Sequence, residues 1–240
     1  MLSPRKHRIS RLEEFSDAVF GFALTLLVIT AAVPRSYAEL TTLLQGIPSF
    51  ACCFALLVWI WYEHDKFFER YPVQDGWTTV LNSLLLFTVL LYIYPLKFMF
   101  DSFMFQVFGL RTNPPVVQMS LLELSRASIL YGLGYFILMS LFALLYLNAL
   151  RQRAGLGLDE LQVFDTRGYA WHHALSAGVG VFAMAFAVFG PLQLAFLSPA
   201  SFGLLGPAHA ILGSRLHRRR TALEAQLAGR PATAAMSSPA

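Results

Sequence analysis

An all-α integral membrane protein, with six transmembrane helices per subunit and both termini inside, is the fold class this sequence predicts. Three observations predict it. Hydrophobic residues make up 56% of the 240-residue chain and charged residues 13%, about half the charged share of an ordinary soluble domain. Five long runs contain no Asp, Glu, Lys or Arg. With the longest run divided into two spans, fourteen of the 18 Lys and Arg residues fall on one side of the alternating loops.

A bilayer core of roughly 30 Å needs about 20 apolar residues per helical span. The charge-free runs are Ala18–Pro34, Leu40–Tyr62, Gly76–Leu96, Ala127–Leu150 and Gly168–Ser214. The last, at 47 residues, is too long for one span. Gly190-Pro191 and Ser198-Pro199 punctuate it as turns do, and splitting it there gives six spans. Residues 1–14 read as a cytoplasmic arm, 15–214 as the six-helix domain, and 215–240 as a basic and then disordered tail. The loop Arg35–Gln45 is short and external, and Glu63–Asp75 is a charged cytoplasmic connection. Asp101–Arg126 is the longest external segment, broken at Asn113-Pro114-Pro115, with Val116–Leu124 at the interface. Arg151–Arg167 is a cytoplasmic loop.

Cytoplasmic loops carry the excess of Lys and Arg, so the basic side is the inside. That distribution also accounts for a pI of 9.2 without nucleic acid as a partner. Basic Met1–Arg11 before an apolar stretch ending at Thr30-Ala31-Ala32 has the outline of a secretory signal. Glu13, Glu14 and Asp17 stand where its basic and apolar regions should meet, and argue against it.

Motifs for intramembrane chemistry are missing. The chain has no H-E-x-x-H and no G-x-S-x-G. His172 and His173 are adjacent and point about 100° apart on a helix, which suits capping of the fifth span at the interface better than a metal. Glu63-His64-Asp65 shares that flaw, and His209 reads as a hydrogen-bonded core histidine. Cys52 and Cys53 are adjacent within a span and cannot staple loops. No enzyme activity, metal or cofactor is expected. Tyr131-Gly132-Leu133-Gly134-Tyr135 has the look of a potassium filter, but it lies inside a continuous apolar span with no pore helix before it. Small residues there let helices approach closely.

One segment is not bland. Arg11-Leu12-Glu13-Glu14-Phe15-Ser16-Asp17 runs directly into the apolar Ala18–Ile29. Ser16 or Asp17 could cap the helix, which would explain one polar residue but not three at a membrane lip, where charge is costly and usually functional. The pattern Arg11-x-x-x-Phe15-Ser16-Asp17 resembles the RxxxFSD signature of the transmembrane protein 175 family of potassium channels, in its short bacterial form. Trp61-x-x-His64-x-x-x-Phe68 and Asn82-Ser83-Leu84-Leu85-Leu86-Phe87 look like that family's second and third motifs.

The resemblance implies a homotetramer in the bacterial plasma membrane, with the first helices of four subunits lining a potassium-permeable pore. Its constriction would be rings of bulky apolar side chains with a threonine ring beside them, and no carbonyl filter. Carrying the family's positions over places the pore face at Phe22, Thr25, Leu26 and Ile29, one helical stripe that any apolar helix could equally use for ordinary packing. Arg11, Phe15, Ser16, Asp17, His64 and Asn82 would tie helices together at the cytoplasmic mouth. The implied partners are a second, third and fourth copy, the lipid bilayer and potassium ions. The chain departs from the family at Phe22, where Ile or Leu is usual, and at Gly21, where Ala is usual. A small secondary transporter using Asp17, His64 or Asn82 as substrate or proton contacts is the alternative function, and a non-conducting scaffold is a third.

Overall fold

The computed structural model describes residues 11–29, 33–73, 75–111 and 118–229. Asn113-Pro114-Pro115, residues 1–10 of the expected arm and the tail beyond Gly229 lie outside them. Helices joined by short connections make up the described residues, with no strand among them.

Helix α1 spans Arg11–Ile29. It begins seven residues before the first charge-free run, so Ser16 and Asp17 lie in its second turn and neither is its cap. Its buried side chains are Ser16, Phe20, Ala23 and Leu27, one face at the spacing i, i+4, i+7, i+11. A short helix α2, Tyr37–Gln45, occupies what the sequence reads as a loop, with the Ser36 side chain accepting from the Glu39 N–H at its start. Helix α3, Ile47–Arg70, carries Pro48 in its first turn, where a missing N–H removes no bond.

Helix α4 runs through Gly76–Phe108, well past the expected end at Leu96. Pro95 lies inside it without ending it, as membrane helices tolerate, and Gly109 stops it in the left-handed conformation at φ 65°. Lys97 is therefore not in a loop. It sits on α4, ion-paired at 2.5 Å to Asp101, whose carboxylate also accepts from buried Ser49 at the start of α3.

Helix α5 spans Leu121–Arg151 and opens with a capping box between Ser120 and Glu123. After a single helical turn, α6 (Arg153–Leu156), helix α7 spans Glu160–Phe189 behind a second capping box of Asp159 and Gln162. The expected cytoplasmic loop is thus mostly helical, and His172 and His173 lie three turns inside α7 rather than at its start. Gly190 ends α7 in an extended conformation. The interruption expected at Gly190-Pro191 and Ser198-Pro199 is present and runs on to Leu204. A 3-10 turn at Leu192–Leu194, helix α8 (Leu197–Ala200) and a second 3-10 turn at Ser201–Leu204 come before α9, Leu205–Ala228. Ser198 Oγ donates to the Ala183 carbonyl at 2.8 Å, pinning this segment back onto α7. Four helices, α3, α4, α5 and α7, are long and apolar enough to cross a membrane among the described residues.

The packing of α5 on α7 explains the glycine-rich stretch. A Cβ on Gly180 would lie 3.1 Å from the Gly132 carbonyl oxygen, and one on Gly132 the same distance from the Gly180 oxygen. The two backbones touch where neither has a side chain. Gly134 seats the Tyr92 ring, with a Cβ there 2.1 Å from it, and Tyr92 Oη donates to the Tyr131 carbonyl at 2.6 Å.

Three polar joints gather the helix ends. Tyr71 and Thr166 share a hydrogen bond of 2.7 Å between α3 and α7. Asp75 accepts from Asn148 of α5 at 3.1 Å and from Gln152, just past the end of α5, at 2.9 Å while capping α4. Arg220 of α9 pairs with Asp165 of α7 at 2.9 Å. These contacts place the α3/α4 junction, the α5/α7 junction and the basic part of α9 at one end of the bundle, the end where α1 starts.

Candidate functional site

The site is the first helix, held from behind by a polar anchor and open in front. Behind it, Ser16, His64 and Asn82 are all buried, at 0%, 1% and 0% exposure, and they lie on α1, α3 and α4. Asn82 Nδ2 donates to Ser16 Oγ at 2.9 Å, and Ser16 Oγ donates onward to the Leu12 carbonyl at 2.7 Å. Asn82 Oδ1 is therefore left as acceptor for His64 Nε2–H at 2.7 Å. Every proton direction follows from the others, which makes the chain a keyed joint among three helices. The His64 ring also meets Phe20 edge-on at 5.4 Å and Phe68 at 4.8 Å. Its Nδ1 is buried without a hydrogen-bond partner.

Asp17 has a separate tie, accepting from Trp61 Nε1 at 2.8 Å. Arg11 and Phe15 are exposed and lie outside the joint. Of the six signature residues, the structure thus brings three into one network and fastens a fourth to Trp61.

In front, Phe15, Ala18, Phe22, Thr25 and Ile29 are all exposed, Phe22 by 56% and Ile29 by 68%. Their spacing alternates three and four residues, the 3.5-residue repeat by which helices meet along a seam. Thr25 Oγ1 donates to the Gly21 carbonyl at 3.0 Å, which commits its proton to the helix and turns the oxygen lone pairs outward. Leu26 differs from the other three of its set: it is half-buried against the core of its own chain.

No group of three or more His, Cys, Asp or Glu side chains that could hold a metal ion occurs among the described residues. Within Glu63-His64-Asp65, the three side chains diverge: Glu63 faces His173 at 3.9 Å, His64 faces Asn82, and Asp65 is exposed. His209 is hydrogen-bonded to His172 at 2.7 Å and to Ser176 at 2.8 Å.

Sequence reasoning passed over Asn148, Gln152 and the Lys97–Asp101 pair. The i, i+4 spacing of Lys97 and Asp101 was a usable signal. For Asn148 and Gln152 no local pattern exists, because their partner Asp75 is more than 70 residues away.

The family model of the endosomal/lysosomal potassium channel TMEM175 matches residues 11–92, the stretch that holds α1, the polar anchor and Trp61. A protein of Marivirga tractuosa named a potassium channel is 34% identical over 188 residues, covering 76% of each chain. A potassium channel of Chamaesiphon minutus is 33% identical over 95 residues, 36% of this chain and 47% of its own. Among solved structures, a variant of the potassium channel MtTMEM175, crystallised with a Nanobody-MBP fusion protein, matches with a TM-score of 0.78 at 30% identity. It covers 90% of this chain and 97% of that one. A homolog, from Chamaesiphon minutus, of the lysosomal potassium-selective channel TMEM175 matches in fold, with a TM-score of 0.56 and 20% identity over 86% of this chain and 96% of that one.

Proposed function

The chain belongs to the TMEM175 family of potassium channels, and from that premise we propose that it is a potassium-permeable, weakly potassium-selective channel formed by four copies around α1. The observation that carries this reading is the exposed seam Phe15, Ala18, Phe22, Thr25 and Ile29, on the helix face opposite the buried joint. One chain cannot enclose a path, so the seam makes a pore only when identical helices surround an axis. The anchor of Ser16, Asn82 and His64 sets the rotation of α1 about its own axis, and so decides which side chains face ions.

In the ring, four Phe22 side chains form an apolar constriction that can stop ions by dewetting. Gly21, whose Cβ position is open space, leaves the rings room to swing. One turn on, four Thr25 oxygens replace part of a cation's hydration shell at modest field strength, which favours the more easily dehydrated potassium ion only weakly. Ile29 forms a second apolar layer, and Leu26 flanks the path. In this reading six membrane segments per subunit, the sixth completed by the broken Leu192–Leu204 stretch, put both termini in the cytoplasm of a bacterial cell. The polar side chains that a transporter would offer to substrate, Asp17, His64 and Asn82, are spent on Trp61 and on one another.

The test is flux from the purified, reconstituted protein. Liposomes should pass potassium faster than sodium, with currents set by the electrochemical gradient. Absence of cation flux from correctly folded tetramers would sink the proposal, as would saturable, gradient-coupled uptake.

A further inference from the structure

An open groove of about 570 Å³ lies between α7 and α9, away from the α1 seam and its anchor. Its walls are apolar, with Leu175, Gly178 and Phe182 from α7 and Ala208 and Ile211 from α9, and Arg215 closes one end. Ala208, Ile211 and Arg215 follow at i, i+3 and i+7, so the guanidinium stands on the same helical stripe as the apolar wall. Arg218 and Arg219 continue that stripe by one turn.

These three arginines are exposed and have no acidic partner among the described residues, whereas Arg220 is taken by Asp165 and Glu224. Trp171 borders the same end of the groove and is 59% exposed, as a side chain at headgroup depth would be. From Leu204 to Arg215 the apolar wall extends roughly 16 Å. A Cβ on Gly178 would meet nothing within 4 Å, so the groove is unfilled at its middle.

A long apolar trough ending in uncommitted guanidinium groups matches a molecule with a hydrocarbon tail and an anionic head. Arg forks pair with phosphate oxygens in a bidentate way, and clustered basic residues at a membrane boundary attract anionic lipid. We propose that this groove is a binding site for an anionic phospholipid. One acyl chain lies along Gly178 between α7 and α9, and the phosphate is held by Arg215 with Arg218 and Arg219 beside it. The site does not depend on the pore reading, because neither its residues nor its ligand touch α1.

Native mass spectrometry of the purified full chain tests this with added phosphatidylglycerol or phosphatidylcholine of matched acyl chains. Wild-type protein should retain phosphatidylglycerol in preference. Arg215→Gln should weaken that retention about fivefold, the weight of one juxtamembrane basic side chain, and leave phosphatidylcholine unchanged. Gly178→Leu should weaken both lipids by filling the trough; should it fail to fold, Ala208→Leu fills the opposite wall. Equal retention of the two lipids by the wild type would overturn the proposal. So would an Arg215→Gln protein with undiminished preference, a filled groove that binds as before, or displacement of the lipid by glycerol phosphate alone.

Discussion

Asn82 on α4 donates to Ser16 on α1 across 2.9 Å, with both side chains fully buried. The bond fastens the first helix to the bundle from the side away from its exposed seam. Interhelical hydrogen bonds in membranes are worth only about 0.6 kcal/mol on average, but stranding a buried donor costs about 1–3 kcal/mol. Ser16→Ala strands one donor, the Asn82 amide. Asn82→Ala strands the His64 Nε2–H, removes the donor that Ser16 accepts and leaves a cavity. Thermal unfolding in detergent should therefore show a loss of about 1 kcal/mol for Ser16→Ala and about 2–3 kcal/mol for Asn82→Ala. Equal losses would show that the three residues do not act as one chain.

Gly180 and Gly178 stand two residues apart on α7 and make a matched pair. A Cβ on Gly180 would press on the Gly132 oxygen at 3.1 Å and the Phe136 nitrogen at 3.3 Å, both backbone atoms, while one on Gly178 meets open space. Backbone cannot step aside as a side chain can, so Gly180→Ala must push α5 and α7 apart, at about 1–3 kcal/mol for overpacking. Gly178→Ala should be neutral or slightly stabilising, since Ala is the better helix former by about 1 kcal/mol. Melting temperatures of the two variants in one detergent decide it, and a Gly180→Ala protein as stable as the wild type would exclude a tight α5–α7 seam.

What could be read from the sequence follows the range of the interactions. Apart from its first turns, Leu121–Arg126, which carry Glu123 and Arg126 and read as external segment, helix α5 was legible, as was the stop of α7 at Gly190, because charge-free runs and glycine-proline punctuation are local signals. The start of α1 at Arg11 was not, because the hydrophobic run begins only at Ala18 and the preceding turns are charged. The extension of α4 past Lys97 was hidden for the same reason: a charge reads as a loop until Asp101 is seen to neutralise it on the same face. In the site, a stripe of Phe22, Thr25, Leu26 and Ile29 was visible as spacing, and only the motif resemblance marked it as a pore face. The reversal of Leu26 toward the core was not, because a stripe on one helix does not say which neighbours cover its edges. The joint of Ser16, His64 and Asn82 was reached through motif resemblance. Residues 18 and 66 apart in sequence leave no local trace of their contact.

Asp75 supplies the pH dependence. Burial raises its carboxyl, and hydrogen bonds from Thr78, Gln152 and Asn148 outweigh that and hold it at about 2, below the ordinary 3.8. A depressed folded-state pKa contributes stability that is present above about pH 4 and lost as the pH falls towards about 2. The wild type should lose stability through that window. Asp75→Asn, which has no charge to lose, should keep a flatter profile there while being weaker by about 1 kcal/mol at pH 7, because a neutral amide accepts the Asn148 and Gln152 hydrogen bonds without charge and turns an NH2 towards the Trp77 N–H that Oδ2 accepts. Parallel acid slopes for the two proteins would rule out this carboxylate as the group responsible.

Phe22 and Thr25 separate conduction from folding. Both are exposed on the protomer and on the face away from the anchor, so replacing either should move stability by no more than about 0.5 kcal/mol. In the proposed ring their consequences diverge. Phe22→Ala widens the apolar constriction and lowers the dewetting barrier, so potassium and sodium fluxes should both rise. Thr25→Ala leaves that constriction intact and removes four oxygens whose lone pairs face outward, so the potassium-to-sodium flux ratio should fall towards one. Tracer flux of both ions into proteoliposomes, at matched protein content and with unfolding curves for each variant, reads the two effects separately. A Phe22→Ala protein with unchanged flux would move the constriction elsewhere on α1, and a Thr25→Ala protein with an unchanged ratio would take selectivity away from the hydroxyl ring.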